Sequence, residues 1–276
     1  MHRVCWRGSS EDLRCCVRCY GHREASFETA PVVRPLPASP ELLLVFYFRE
    51  PYTVHFRETG VEELAPGNVV VGPQTYCRTK IEARGAFESF SIHFQPAGFH
   101  HLFGIDMTEL TNQAWEGNAV LGRKIAGLEQ CLGEARDFDC RVRIAEQFLR
   151  REAAGAGVPD GVSMAARNII RNGGSLRIGE IAAEAGLSER QFERRFLRQV
   201  GIMPKLYSRI ARFNHALEGK IVAPARTWAD VASESGYYDQ MHLLHDFRSM
   251  ADESPTGFLA QLQRLPEDWL VTRPGW

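Results

Sequence analysis

The sequence predicts an α+β chain: a β-rich amino-terminal half that closes into a barrel and carries helices, and an all-helical carboxy-terminal half. Three observations predict it. Between residues 31 and 117, short β-branched and aromatic runs alternate with polar residues and are bounded by Gly and Pro. From about residue 118 the apolar residues recur every three or four positions instead. Between the helical stretches lies AAGAGVPDG, residues 153–161, a flexible linker by composition. A chain of 276 residues is long enough for two such units.

The first thirty residues follow neither pattern. They hold Cys5, Cys15, Cys16 and Cys19 among five arginines, with few aliphatic residues, and are expected to form a poorly ordered extension (1–30). Cys16-Val-Arg-Cys19 has the spacing of a zinc knuckle that Cys5, Cys15 or His22 would complete. A structural zinc site pairs two such knuckles and only one is present, so no metal and no cofactor is expected. Seven cysteines, an odd and uneven set, read as free thiols in a reducing compartment. The longest strongly apolar run, residues 42–48, is too short for a bilayer, and no signal-peptide pattern opens the chain. The expectation is a soluble cytoplasmic protein with no membrane partner.

In the 31–117 region, strands are expected at 42–48, at 52–56 (Tyr52, Val54 and Phe56 alternating with Thr53 and His55), at 68–72 (NVVVG), and at 87–94, after the proline-rich PVVRPLPASP. Their number suggests a small barrel with a ligand-sized interior. Its imidazoles are His55, His93, His100 and His101; the last two are adjacent and would face opposite sides of a strand. No nucleophile elbow, phosphate loop or carboxylate pair accompanies them, so a binding pocket is expected and a catalytic residue is not. Residues 118–154 then read as two helices broken near 133–139, with Val120, Ile125, Leu128 and Leu132 on one stripe and Val142, Ala145, Phe148 and Leu149 on the next. Such a pair either packs on the barrel or forms a dimerisation seam.

After the linker (155–161), residues 162–264 form the helical unit, with a tail at 265–276. A first helix carrying Ala165, Ile169 and Ile170 stops at Asn172-Gly173-Gly174. In IAAEAGLSERQFERRF, residues 181–196, small alanines line one helix, Gly186 ends it, Ser188 caps a second, and Phe192 and Phe196 supply that helix's apolar stripe. Arg190, Gln191, Arg194, Arg195 and Arg198 remain outside. A compact helix-turn-helix with a guanidinium-rich second helix is a shape the major groove of DNA accepts. The pattern then recurs at 227–247: Val231, Ala232, Ser235 and Gly236 repeat Ile181, Ala182, Ala185 and Gly186, Asp239 repeats the cap, and Leu243 and Phe247 repeat the stripe. A helix with Leu206, Tyr207, Ile210, Phe213 and Leu217 inward joins the two.

The segments AGLSERQFERRF and GYYDQMHLLHDF, the joining helix, and ESPTGF resemble the double helix-turn-helix domain of AraC/XylS-type bacterial transcription regulators. The resemblance covers residues 161–262. It implies binding to double-stranded DNA through two recognition helices, and activation through contact with RNA polymerase. It also implies a cupin-like amino-terminal sensor that takes a small-molecule effector or forms a homodimer. Positions matching the family's DNA contacts are Ser188, Arg190, Gln191, Glu193, Arg194, Arg195 and Arg198 in the first unit. In the second they are Asp239, Gln240, Met241, Leu244 and His245, where a basic residue is more usual at the His245 position. By count, residues 187–212 carry seven bases against two acids, 7 − 2 = +5, and residues 226–253 two against six, 2 − 6 = −4. Phosphate neutralisation dominates affinity for DNA, so the first unit is expected to be the anchor. Two other readings remain open: a cysteine-dependent alkyl-transfer repair enzyme fused to the same module and using the amino-terminal thiols, and a β half that only dimerises.

Overall fold

The computed structural model describes residues 3–154, 159–175, 177–263 and 265, with the side chains of residues 28 and 29 excepted. Most of the 155–161 linker and, apart from Leu265, the 265–276 tail lie outside the described residues. Eight antiparallel strands are described: β1 Arg3–Gly8, β2 Val17–Leu36, β3 Leu43–Tyr47, β4 Thr53–Phe56, β5 Glu62–Leu64, β6 Asn68–Val71, β7 Thr79–Phe94 and β8 Ala114–Glu116. The sheet is organised on β7. One edge of β7 pairs with β2 along nearly its whole length, and the other is shared between β3, at residues 89–93, and β4, at residues 79–82. Between those two partners sits Gly85 with φ of +56°, opposite a bulge in β2 between Phe27 and Val32. Both long strands therefore bend at one level, where only glycine takes the left-handed turn cheaply.

Two expectations need correction. The sheet runs β1-β2-β7-β3-β6-β8 with β4 and β5 as a side arm, and its outer strands do not pair, so it is an open curled sheet and not a closed barrel. The 1–30 stretch, described from Arg3, is not a loose extension either. β1 and the first half of β2 form the flank of the sheet, and Leu13, Cys16, Val17, Cys19 and Tyr20 are buried. The arginines misled because they point outward or find acids: Arg18 pairs with buried Glu41, and Arg7 with Asp139 at 2.8 Å.

The helices are α1 Gly98–Phe103, α2 Gly117–Leu121, α3 Lys124–Gly133, α4 Phe138–Ala153, α5 Gly161–Arg171, α6 Ile178–Glu184, α7 Glu189–Val200, α8 Pro204–Val222, α9 Trp228–Glu234, α10 Gln240–Ala251 and α11 Pro255–Leu262. The α3–α4 pair packs on the sheet: Ile125, Leu132, Val142 and Leu149 share one core with Leu44, Phe46, Phe90 and Ile92. A second core fills α5–α11 and takes in Phe27, Ala38, Tyr52 and Phe87 from the β half. The end of the expected linker is fixed, because Asp160 caps α5 by accepting the Ser163 N–H at 3.1 Å, and Gly161 opens that helix.

The two halves meet through named hydrogen bonds. Ala38 N–H donates to Met250 O at 2.8 Å, and Asn214 Nδ2 to Ala38 O at 3.1 Å. Thr111 Oγ1 donates to Gly201 O at 2.7 Å, and Arg57 pairs with Asp252. No helix among the described residues is long and apolar enough to cross a membrane.

Candidate nucleic-acid interface

In the first unit, α6 ends at Gly186, whose φ of +68° admits glycine without strain. A capping box starts α7: Ser188 Oγ accepts the Gln191 N–H at 3.4 Å, and Gln191 Oε1 accepts the Ser188 N–H at 3.2 Å. Two orphan amides of the first turn are thereby satisfied. Phe192 and Phe196 are fully buried, 5.4 Å apart by ring centroid, and Phe196 meets Tyr207 of α8 edge-on at 5.2 Å. This anchoring turns the opposite face outward. Arg190, Gln191, Arg194, Arg195 and Arg198 are exposed there, with Ser188 exposed at the helix start and Glu193 half-buried. Ser188 and Gln191 thus spend hydrogen-bonding atoms on the cap, and the four guanidinium groups, with the exposed Glu189 carboxylate in the first turn, are the outward-facing charges of α7.

The second unit repeats the construction. Thr227 and Asp230 form a capping box at α9, Gly236 takes φ of +73°, and Asp239 caps α10 through the His242 N–H at 2.8 Å. Leu243 and Phe247 are fully buried, the latter against Phe213 at 4.9 Å and Trp228 at 5.2 Å. Gln240, Met241 and His245 are exposed, and Leu244 is half-buried.

The net charge of −4 counted for this unit does not appear on its reading face. Asp246 is wholly buried and accepts Arg209 Nη2 of α8 at 2.7 Å. Glu234 pairs with Arg226 at 2.5 Å and Asp252 with Arg57. Asp230 and Asp239 are caps, and Glu253 Oε1 accepts the Ser254 N–H at 2.8 Å. Every acid of the segment is thus spent on structure. The exposed face of α10 offers Gln240, Met241, His242, His245 and Arg248, with no carboxylate. The units differ because α7 presents four arginines and α10 one. Sequence reasoning missed the Arg209–Asp246 pair because it joins residues 37 apart across two helices, and no local pattern announces it. Beside Asp246, burial raises the pKa of the Tyr237 hydroxyl and the nearby carboxylate adds to it.

The flank of α7 that faces the β half is also charged. Arg194, Arg195 and Arg198 line a cleft of about 610 Å³ shared with Asp106 and Thr108. Cys15 and Cys16 lie 3.6 Å apart, Cys19 is buried on β2, and burial together with Cys15 pushes the Cys16 thiol up to about 12. A protonated buried thiol is a poor alkyl acceptor. No group of three or more His, Cys, Asp or Glu residues suited to a metal ion is present among the described residues.

A helix-turn-helix domain family model matches residues 181–261, spanning both units. The chain carries a helix-turn-helix domain. That domain assigns the chain to DNA binding and transcription regulation. A second model, a domain of unknown function (DUF6597), covers residues 9–116 and so includes most of the stretch expected to be unordered. Among solved structures, ToxT from Vibrio cholerae O395 is 10% identical, with 89% of this chain and 99% of that chain covered and a TM-score of 0.49. ToxT from Vibrio cholerae strain SCE256 with a bound unsaturated fatty acid is 10% identical over 92% of this chain and 97% of that one, with a TM-score of 0.46. The AraC-like transcriptional activator CuxR is 17% identical over 77% and 86%, with a TM-score of 0.25. None of the curated proteins matches the sequence.

Proposed function

We propose that this regulator holds its operator chiefly through α7, reads it more weakly through α10, and changes its occupancy when the β half takes a small effector or a second copy of the chain. The observation that carries the reading is the outward set Arg190, Arg194, Arg195 and Arg198 on a helix locked by its capping box and two buried phenylalanines. Arginine chelates guanine O6 and N7, whereas Met241 and Leu244 offer only apolar contact to a thymine methyl. α8, 19 residues and about 28 Å long, sets the separation of the two readers. Contact with RNA polymerase, the step by which such regulators activate, belongs to the same proposal.

The test uses an operator selected from random duplexes and anisotropy titration at several salt concentrations. Arg194→Ala should weaken binding by about 1–3 kcal/mol and relax the base preference at one position, with Leu244→Ala weaker in effect. A Leu244→Ala loss larger than that of Arg194→Ala would overturn the ranking of the two units.

A further inference from the structure

A second cleft, of about 640 Å³, opens between α1, α2 and α4. Phe103, Ile105, Val120, Leu121 and Phe148 form its walls. All five are half-buried and give the cleft an apolar wall, while His100, His101, Lys124 and Glu152 give it a polar side. Its volume is in the range of small-molecule sites. The charges at its rim cancel: Lys124 Nζ and Glu152 Oε2 are 2.8 Å apart, and His100 Nδ1 is held by Ile105 O at 2.7 Å.

His101, in the same wall, begins a hydrogen-bonded chain that leaves the β half. Its Nε2 lies 2.5 Å from Ser163 Oγ on α5, which in turn lies 3.2 Å from Asp160 Oδ1. The other oxygen, Asp160 Oδ2, accepts Gln199 Nε2 of α7 at 2.8 Å. Ser163 is fully buried and Gln199 nearly so. A serine has one proton to give and an ionised carboxylate has none. The chain therefore runs in one direction: His101 Nε2–H to Ser163, Ser163 O–H to Asp160, and Gln199 N–H to Asp160, with the buried Gln199 Oε1 left without a partner. Burial opposes the charge on Asp160, but Gln199 and Ser163 hold its carboxyl below its ordinary range. Gln199 is adjacent in sequence to Arg198 of the DNA-facing set.

We propose that the α1–α2–α4 cleft is the effector site, that it takes a neutral and mostly apolar ring compound bearing one hydroxyl or amide, and that the His101–Ser163–Asp160–Gln199 chain couples its occupancy to α7. This rests on the regulator reading above. α1 is six residues long and carries both a wall, Phe103, and the first link, His101. A guest wedged between Phe103 and Phe148, whose rings are 6.4 Å apart, shifts α1 against α4 and so loads the chain. The cancelled rim favours an uncharged guest, because an ionic one must break the Lys124–Glu152 pair to find a partner.

The experiment uses the full chain and three fluorescent probes: 9-hydroxyphenanthrene, phenanthrene-9-carboxylate and 9-phenanthrylmethylammonium. The hydroxyl probe should bind saturably at one site, with both ions at least about tenfold weaker, and Val120→Trp should abolish it by filling the cleft. Lys124→Met, on an exposed side chain, should leave Glu152 unpaired and shift the preference to the ammonium probe. In the wild type the hydroxyl probe should change operator affinity by about fivefold or more, the ordinary span of allosteric coupling. Gln199→Leu should bind the probe unchanged but lose that response. Absence of saturable binding, a preference for the carboxylate, or an intact response in Gln199→Leu would overturn the proposal. Operator binding by the probe-free protein is measured in the same series, so a failure of the DNA-binding reading is seen separately.

Discussion

The buried pair of Arg209 and Asp246 allows a sharp prediction because its partners are unequally placed. Asp246 has no exposed surface, whereas the Arg209 side chain is 35% exposed, and the two are 2.7 Å apart. Arg209→Met strands a carboxylate in the core, and breaking a buried pair from that side costs about 3–5 kcal/mol. Asp246→Asn removes the charge from the buried member, and the guanidinium can turn to water. The loss is then nearer that of one charge-assisted hydrogen bond, about 1.5–3 kcal/mol before its exposure is discounted, so a value near 1–2 kcal/mol is expected. Because the pair clamps α10 to α8, the loss should appear first as faster amide hydrogen exchange in α10, and later as global unfolding. The double variant Arg209→Met/Asp246→Leu should recover much of the single-variant loss, since an apolar replacement leaves no stranded charge. Equal losses in the two single variants, or a larger one in Asp246→Asn, would refute the assignment of Asp246 as the buried partner that Arg209 compensates.

Three further outcomes follow from the same packing. Phe196→Ala removes a fully buried ring from between Phe192 and Tyr207, so urea unfolding should show a loss of about 3–5 kcal/mol. Gly201 ends α7 with φ of +85°, and an added Cβ would lie 2.5 Å from Thr111 Oγ1 and 2.7 Å from Met107 O. Gly201→Ala should therefore push the 107–111 turn off α7 and raise its hydrogen exchange more than that of the sheet. Burial, with Arg141 close by, lowers the His22 pKa to about 4. Between pH 6.5 and 4 the unfolded chain then binds a proton that the folded one refuses. Stability should fall as pH drops through that window, by up to about 1.4 kcal/mol per unit from this group, and His22→Gln should flatten the slope.

Much of the carboxy-terminal half was legible because its signals are local. Gly186 and Gly236 both take positive φ, Ser188 and Asp239 both cap, and Phe192, Phe196, Leu243 and Phe247 are all fully buried. Each depends on residues within one turn of helix. The β half was legible where an apolar run or alternation is strong, as in β3, β4, β6 and the end of β7. β2 was missed because Pro31 and Pro35 read as a loop. Its pairing with β1 ends at Glu24, however, and beyond that point one of its edges has no strand beside it among the described residues. A proline there sacrifices no ladder bond. The linear charge count misled for a related reason. It treats Asp246 and Arg209 as two exposed ions, when the fold makes them one neutral, mostly buried unit.

The contacts between halves bear on how a signal reaches DNA. The first unit is held at Gly201 by Thr111 and at Ser163 by His101; the second is held at Met250 by Ala38 and at Asp252 by Arg57. The β half thus touches both readers at separate points, and α8 alone does not fix their relation. A change confined to one grip alters the position of one recognition helix against the other. The two readers are unequal, so the consequence depends on which grip yields. Displacing α10 removes apolar discrimination and leaves most phosphate neutralisation in place, lowering specificity more than affinity. On the proposed reading, displacing α7 moves four guanidinium groups from the DNA backbone at once and lowers both. The chain from His101 ends on α7, at Gln199, so under the proposed coupling a ligand acts on the unit proposed as the main anchor.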